Sequence, residues 1–303
     1  MNAGRRPMSG RTVLVTGATS GIGLETARAL ARLGALVLVG ARDETRGRGV
    51  VETILREGGQ ADLVMIDLAS FASVRSAAER VSTKYARLDV LVNNAGMVAR
   101  RRGRTADGHE PTWETNFLGP FLLTRLLLPS LKAAPGPRVV NVSSEAHRRG
   151  RIDWGNLELE RGYRSFQAYS NSKLALVLWT RELARRETLV ASNAIHPGVI
   201  ATNIWRAAPQ PIPWILGILL PSSAKGAAPV ARLAADPDLD GVSGRYFDRF
   251  RETNPSPAAQ NDADARRLWE AAETATSVAD PSTAADAITP ASDAEGERRN
   301  AKK

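Results

Sequence analysis

The chain has 303 residues, enough to bury a full core within one α/β domain. Hydrophobic residues make up 43% and charged residues 24%, a globular balance, and the absence of cysteine excludes disulfides, thiolate metal sites and a cysteine nucleophile. The net charge is +9; seven acidic and four basic residues lie from Glu270 onward, so the body before it carries +12. That surplus comes without an aromatic-interleaved basic helix or a nucleic-acid motif. It reads as an arginine-rich solvated surface with a site for a polyanionic cofactor, and no nucleic-acid partner is expected.

Residues 1–9 carry Arg5 and Arg6 with no apolar run behind them, which predicts a flexible N-terminus and no signal peptide. The first strand, Thr12–Thr16, runs straight into Thr16-Gly17-Ala18-Thr19-Ser20-Gly21-Ile22-Gly23 and then a helix over Ile22–Leu33. Gly17 lets the chain leave the strand in a tight turn, Gly21 lets backbone approach a pyrophosphate, and Gly23 lets helix pack closely on strand. The helix N-terminus offers N–H groups and a positive dipole end to phosphates. A glycine-rich turn without a ligand is the bland alternative, but the strand–turn–helix setting favours a dinucleotide on Gly17, Thr19, Ser20, Gly21, Ile22 and Gly23.

A second strand, Leu36–Gly40, ends at Ala41-Arg42, where an acidic residue would hold the ribose of NAD. Arg42 instead suits a 2′-phosphate, so NADP(H) is favoured over NAD(H); a surface arginine at a helix entry is the competing reading. After a helix over Glu44–Glu57, a third strand, Ala61–Ile66, ends at Asp67 and Leu68, where the carboxylate can meet an adenine amino group. A helix over Val74–Tyr85 leads to a fourth strand, Val90–Asn93, ending Asn93-Asn94-Ala95-Gly96. Ligands of open α/β sheets bind at the carboxyl ends of strands, so these positions belong to one crevice; turn-holding roles suit Asn93 and Asn94 equally.

A helix over Trp113–Leu131 and a strand, Arg138–Val142, precede Ser143-Ser144. The long helix Phe166–Glu187 contains Tyr169-Ser170-Asn171-Ser172-Lys173, whose spacing of four puts phenol and ammonium on one face. A nearby cation lowers a tyrosine pKa toward a useful range for proton transfer. A strand at Val190–Ala194, a helix at Ala224–Ala234, a strand at Arg245–Phe247 and a helix at Ala263–Ala272 follow. His109, His147 and His196 lack ligand spacing and read as structural, so no metal is expected. The longest apolar stretch, Ile212–Leu220, is too short to span a bilayer. Residues 276–303, rich in Ala, Asp, Ser, Thr and Pro, read as a disordered tail.

This ordered set resembles the short-chain dehydrogenase/reductase family across nearly all of residues 10–275. The carriers are Thr16–Gly23, Asn93–Gly96, Asn116, Ser143-Ser144, Tyr169 with Lys173, then Pro197-Gly198 and Thr202. The resemblance implies one Rossmann-type, doubly wound parallel sheet of about seven strands in the order 3-2-1-4-5-6-7, helices on both faces. It implies Tyr169 as general acid or base, Lys173 lowering its pKa and binding the nicotinamide ribose, and Ser144 polarising the substrate oxygen. Asn116 would support a water linking Lys173 to solvent, and Pro197, Gly198, Val199 and Thr202 would line the cofactor with Asn93, Ala95 and Gly96. The long segment Glu145–Ala168 is similar to that of the retinol dehydrogenase and WW-domain oxidoreductase branch. Ile212–Leu220 falls where the family has its mobile substrate lid; a partly buried surface helix or an oligomer contact is the equal alternative.

The function implied is a cytoplasmic NADP(H)-dependent oxidoreductase acting on a carbonyl or alcohol, with a lipophilic small molecule as partner and room for a homo-oligomer. A catalytically silent NADP(H) sensor or scaffold is the first alternative, against which the intact Asn116, Ser144, Tyr169 and Lys173 weigh. A peripheral membrane protein using the basic body and the apolar stretch is the second.

Overall fold

The computed structural model describes residues 6–198 and 222–278. Val199, Thr202 and Ile212–Leu220 lie outside the described residues, as do positions 279–303 of the tail. One sheet contains β1 (Thr12–Thr16), β2 (Leu36–Ala41), β3 (Gln60–Met65), β4 (Val90–Asn93), β5 (Arg138–Val142), β6 (Ala191–His196), β7 (Tyr246–Asp248) and β8 (Arg251–Thr253). The order is β3-β2-β1-β4-β5-β6-β7-β8. Neighbours are parallel from β3 through β7, and β8 turns back antiparallel, pairing Phe247 with Glu252. The seven-strand order is as expected; β8 is an addition. Its sequence is Arg-Glu-Thr, exposed throughout, so no apolar alternation could have announced it.

The sheet is covered on both faces because its strands alternate apolar residues between two cores. Leu14, Leu38, Leu91, Val139 and Ala194 point to one face, while Val13, Val15, Val37, Val39, Val90, Val92, Val140 and Ile195 point to the other. The second face receives α1 (Gly21–Arg32), α2 (Glu44–Arg56) and, beyond β6, a helix over Ser223–Ala235. The first face receives α3 (Phe71–Lys84), α4 (Gly119–Lys132), α5 (Ser165–Arg186) and α7 (Asp262–Thr276); the helix over Ser223–Ala235 on the other face is α6 in chain order. On that face Phe117, Phe121, Trp179 and Trp269 form an edge-on aromatic chain, with Phe121 and Trp269 centroids 5.1 Å apart at 80°.

Local chemistry fixes where helices begin. Asp43 accepts from the Arg46 N–H (3.0 Å) ahead of α2, and Asn261 accepts from the Ala263 and Asp264 N–H groups (3.0 and 3.1 Å) ahead of α7. The helix expected over Trp113–Leu131 is instead built in three pieces. An α-turn, Pro111–Trp113, passes into a π-helical stretch, Glu114–Leu118, before α4, and the Gly119 N–H donates to the Glu114 carbonyl. Hydrophobic periodicity is blind to one inserted residue in a helix, and such bulges gather at functional sites. At the other end of the chain, Met8 lies in the segment expected to be flexible, yet it is buried and its N–H donates to the Leu33 carbonyl (2.9 Å).

Candidate active site

The carboxyl end of β5 delivers two serines with different surroundings. Ser143 Oγ donates to the Lys173 carbonyl (3.1 Å), so it joins strand to helix. Ser144 Oγ accepts from the Ala146 N–H (3.2 Å) and lies by the Tyr169 phenol, whose pKa it pulls down. The geometry thus separates two serines that sequence alone could not. Tyr169 and Lys173 both lie one turn apart on the buried length of α5, with Lys173 Nζ 5.7 Å from the phenol ring centroid.

Burial dominates the electrostatics here. It pushes the Tyr169 phenol up, with the Ser144 hydrogen bond pulling the other way, and it pushes the Lys173 ammonium down to about 8. Lys173 Nζ donates to the Val142 carbonyl (2.8 Å). The expected lowering of the phenol pKa by Lys173 is therefore not the net direction in this structure: a desolvated lysine turned to a carbonyl offsets little of the phenol's own desolvation. A buried phenol with a raised pKa is a proton donor.

Asn116 sits in the π-helical stretch. Its Oδ1 accepts from the Met97 N–H (2.8 Å), and its Nδ2 donates to the Met97 carbonyl and to Ser172 Oγ, both at 3.0 Å. It clasps the strand end after β4 to α5. A methyl group added at Gly96 would meet Asn116 Oδ1 and Lys173 Nζ, each at 3.5 Å, and Gly96 is exposed, so bare backbone faces the crevice between them.

The glycine loop after β1 fits a dinucleotide. Gly17 and Gly21 have φ of 63° and 59°, in the left-handed region. A Cβ at Gly17 would stand 2.8 Å from the Ala95 Cα, and one at Gly23 would stand 2.4 Å from the Gly17 carbonyl oxygen. The loop therefore lies hard against the end of β4, with Thr19, Ser20 and Ile22 at the entry to α1 and half-buried. Asn94 holds it there, donating from Nδ2 to the Thr16 carbonyl (2.9 Å). Thr16 Oγ1 accepts from the Asn94 and Ala95 N–H groups (3.0 and 3.1 Å).

Across the amino-acid sequence from 11 to 212 the chain matches the family model described as short chain dehydrogenase. The chain belongs to the short chain dehydrogenase family. Among curated proteins it is 40% identical over 286 residues to mouse retinol dehydrogenase 14, covering 88% of this chain and 86% of that protein. It is 42% identical over 281 residues to mouse polyprenol dehydrogenase, covering 87% and 83%. These relatives place it in the retinol dehydrogenase-like branch. Among solved structures, an uncharacterized protein from Mycobacterium Paratuberculosis aligns with a TM-score of 0.74 at 35% identity, covering 89% of this chain and 94% of its own. A short chain dehydrogenase from Shigella flexneri complexed with NADP aligns at 0.66 and 28% identity, covering 82% and 100%.

In this short chain dehydrogenase the other residues singled out from sequence fall as follows. Arg42 is exposed just past β2. Asp67, past β3, accepts the Ala69 N–H at Oδ1 (3.0 Å), and Leu68 beside it is buried against Gly119. Pro197 is buried and Gly198 has a φ of 99° at the end of β6. Asn93 turns inward, donating to Thr124 Oγ1 (3.1 Å) and Asn141 Oδ1 (2.8 Å), and Asn141 donates on to Thr180 Oγ1 (2.9 Å). Its side chain belongs to a polar ladder beneath the sheet and not to the crevice.

Two residues near the site were not singled out for it from sequence. Arg46 donates to the Thr19 carbonyl (3.4 Å), bringing a second cation to the Arg42 end of the crevice. The four-residue step from Arg42 was the available signal. His147 is fully buried behind the serines, its Nδ1 2.8 Å from the Ser144 carbonyl and its Nε2 accepting the Ser256 N–H (3.1 Å). No signal in sequence marked that bridge, because Ser256 lies far along the chain. Among the described residues, no cluster of His, Asp and Glu could hold a metal ion, and no helix is long and apolar enough to cross a membrane.

Proposed function

We propose that this chain is an NADP(H)-dependent oxidoreductase moving hydride between nicotinamide and the carbonyl or alcohol carbon of a lipophilic small molecule, such as a retinal-like aldehyde or another ketone or aldehyde. The observation that carries the reading is Ser144 set beside the Tyr169 phenol, with the buried Lys173 Nζ 5.7 Å from the phenol ring centroid and next to Gly96. When bound, the nicotinamide supplies or accepts the hydride. Gly17, Thr19, Ser20, Gly21, Ile22 and Gly23 would hold its pyrophosphate, Arg42 and Arg46 the 2′-phosphate, and Lys173 the nicotinamide ribose.

The chain's own residues manage the oxygen and the proton. For reduction, Ser144 donates to the carbonyl oxygen and polarises it, and Tyr169 passes its phenolic proton to that oxygen as the carbon receives hydride. The Lys173 ammonium stabilises the phenolate left behind, and Asn116 fixes the polar surroundings of Lys173 through Met97 and Ser172. Oxidation runs the same steps in reverse. The lipophilic character draws support from relatives whose names denote retinol and polyprenol, and the cofactor from the NADP bound by the Shigella flexneri neighbour.

Fluorescence titration with NADPH and NADH, followed by turnover on an aldehyde panel, tests this together with Tyr169→Phe. The expected outcome is tighter binding of NADPH, turnover by the parent, and a loss of at least about a hundredfold in kcat for the variant with NADPH binding retained. Tight binding without turnover on any carbonyl would replace the enzyme with an NADP(H) sensor. Binding of neither nucleotide would refute both readings.

A further inference from the structure

The rim of the site beside Tyr169 has an unusual composition. Phe166, in the first turn of α5, is 47% exposed, and its ring centroid lies 6.5 Å from that of Tyr169. The Arg149 guanidinium stands over the same ring, 5.9 Å from its centroid. Arg148, its neighbour, is engaged with Glu145 (2.6 Å) and the Asn254 carbonyl (3.1 Å). Arg149, Arg151 and Arg164 have no carboxylate within ion-pair distance among the described residues.

The backbone carrying Arg149 is fixed in place. Its carbonyl accepts from Gln167 Nε2 (3.1 Å), Gln167 Nε2 also donates to Asn171 Oδ1 (2.7 Å), and the Arg151 N–H donates to that same oxygen (2.9 Å). Between them Gly150 lies so close to α5 that a Cβ would stand 2.5 Å from the Ser170 carbonyl oxygen. A guanidinium set against an aromatic ring with no carboxylate partner keeps N–H groups available to receive a carboxylate or phosphate. An exposed phenyl face leading from the catalytic phenol to that cation offers an apolar track ending in a positive charge.

We infer that Arg149 on Phe166 is an anion-binding subsite, and that the preferred substrates carry a carboxylate or phosphate at the end of the lipophilic chain remote from the reacting carbonyl. The inference rests on the reading of Tyr169 as the place of carbonyl chemistry and names the substrate class for it. Neutral aldehydes cross the phenyl face without reaching a partner; anionic ones also satisfy the cation.

The test compares ω-oxononanoate with nonanal in the parent and in Arg149→Met, which keeps an unbranched apolar side chain. Two readouts are taken: the ratio of kcat/KM for the two aldehydes with NADPH, and calorimetric binding of each to the NADP⁺-loaded protein. The parent is expected to favour the anionic aldehyde about tenfold, the scale of one partly solvated charge-assisted hydrogen bond. That preference is expected to shrink with added salt and to collapse in the variant. Arg149-dependent preference in binding without turnover of either aldehyde would uphold the subsite and overturn the carbonyl reading. Equal treatment of the two aldehydes by the parent, or a preference unchanged in Arg149→Met, would overturn the subsite whatever the turnover.

Discussion

Glu114 offers a perturbation whose size follows from the structure. It opens the π-helical stretch that carries Asn116 and it is fully buried, with no cation paired to it among the described residues and Thr105 and Asp107 as its polar neighbours. Burial pushes its pKa up to about 7, the nearby Asp107 carboxylate adds to the push, and Thr105 and His109 pull the other way. A carboxyl raised from its ordinary 4.5 is protonated in the folded chain over a range where the unfolded chain has already released the proton. The stabilisation it contributes is fully present below pH 4.5 and is lost as pH rises through about 7. At about 1.4 kcal/mol for each tenfold change in proton affinity, the loss is about 3 kcal/mol. Glu114→Gln removes the ionisation and keeps the shape. Urea unfolding at pH 5, 6, 7 and 8 should show the variant gaining on the parent across that range, level at the acidic end and about 2–3 kcal/mol ahead at pH 8. Parallel stability curves for the two proteins would refute the assignment of a buried carboxyl with a raised pKa.

Gly23→Ala places a methyl group within 2.4 Å of the Gly17 carbonyl oxygen, so thermal melts should show about 1–3 kcal/mol of destabilisation together with much weaker NADPH binding. Arg42→Ala should weaken NADPH binding about tenfold or more while leaving NADH binding close to its starting value, as measured by fluorescence titration. With Lys173 at about 8, the ammonium is present below that pH and lost above it. The reductive kcat should therefore fall as pH rises through about 8, and a flat profile from pH 7 to 9 would remove the cation from the mechanism.

The parallel part of the fold was legible because its signals were periodic and local. Strands β1, β4 and β5 fall on the residues read from sequence, since four- and five-residue runs of Val and Leu between helix-period segments have few other uses. The glycine loop was legible for a similar reason: its glycines occupy backbone conformations and contact distances that a side chain cannot share. What escaped was set by tertiary contact. The π-helical insertion changes the facing of Asn116 and Glu114 without changing composition. The inward turn of Asn93 depends on Thr124, Asn141 and Thr180 arriving from three other elements. The direction of the Tyr169 pKa depends on how much water α5 excludes, a quantity that the spacing of Tyr169 and Lys173 does not contain. The difference between Ser143 and Ser144 likewise lies in which hydroxyl meets the helix backbone and which lies by the phenol, a matter of tertiary contact.

The antiparallel return at β8 bears on how copies of this protein meet in solution. A parallel sheet ending at β7 would present Tyr246–Asp248 as a row of backbone donors and acceptors ready to accept another strand. The three residues of β8 occupy that row and offer in their place a short ledge of Arg251, Glu252 and Thr253, with Arg245 and Glu252 paired across it at 3.5 Å. A strand arriving from a second copy would have to desolvate those charges for very few backbone hydrogen bonds. Fibre-like growth by sheet extension on this side is thereby disfavoured, and the ledge acts as a terminator for a sheet whose interior strands are runs of Val and Leu.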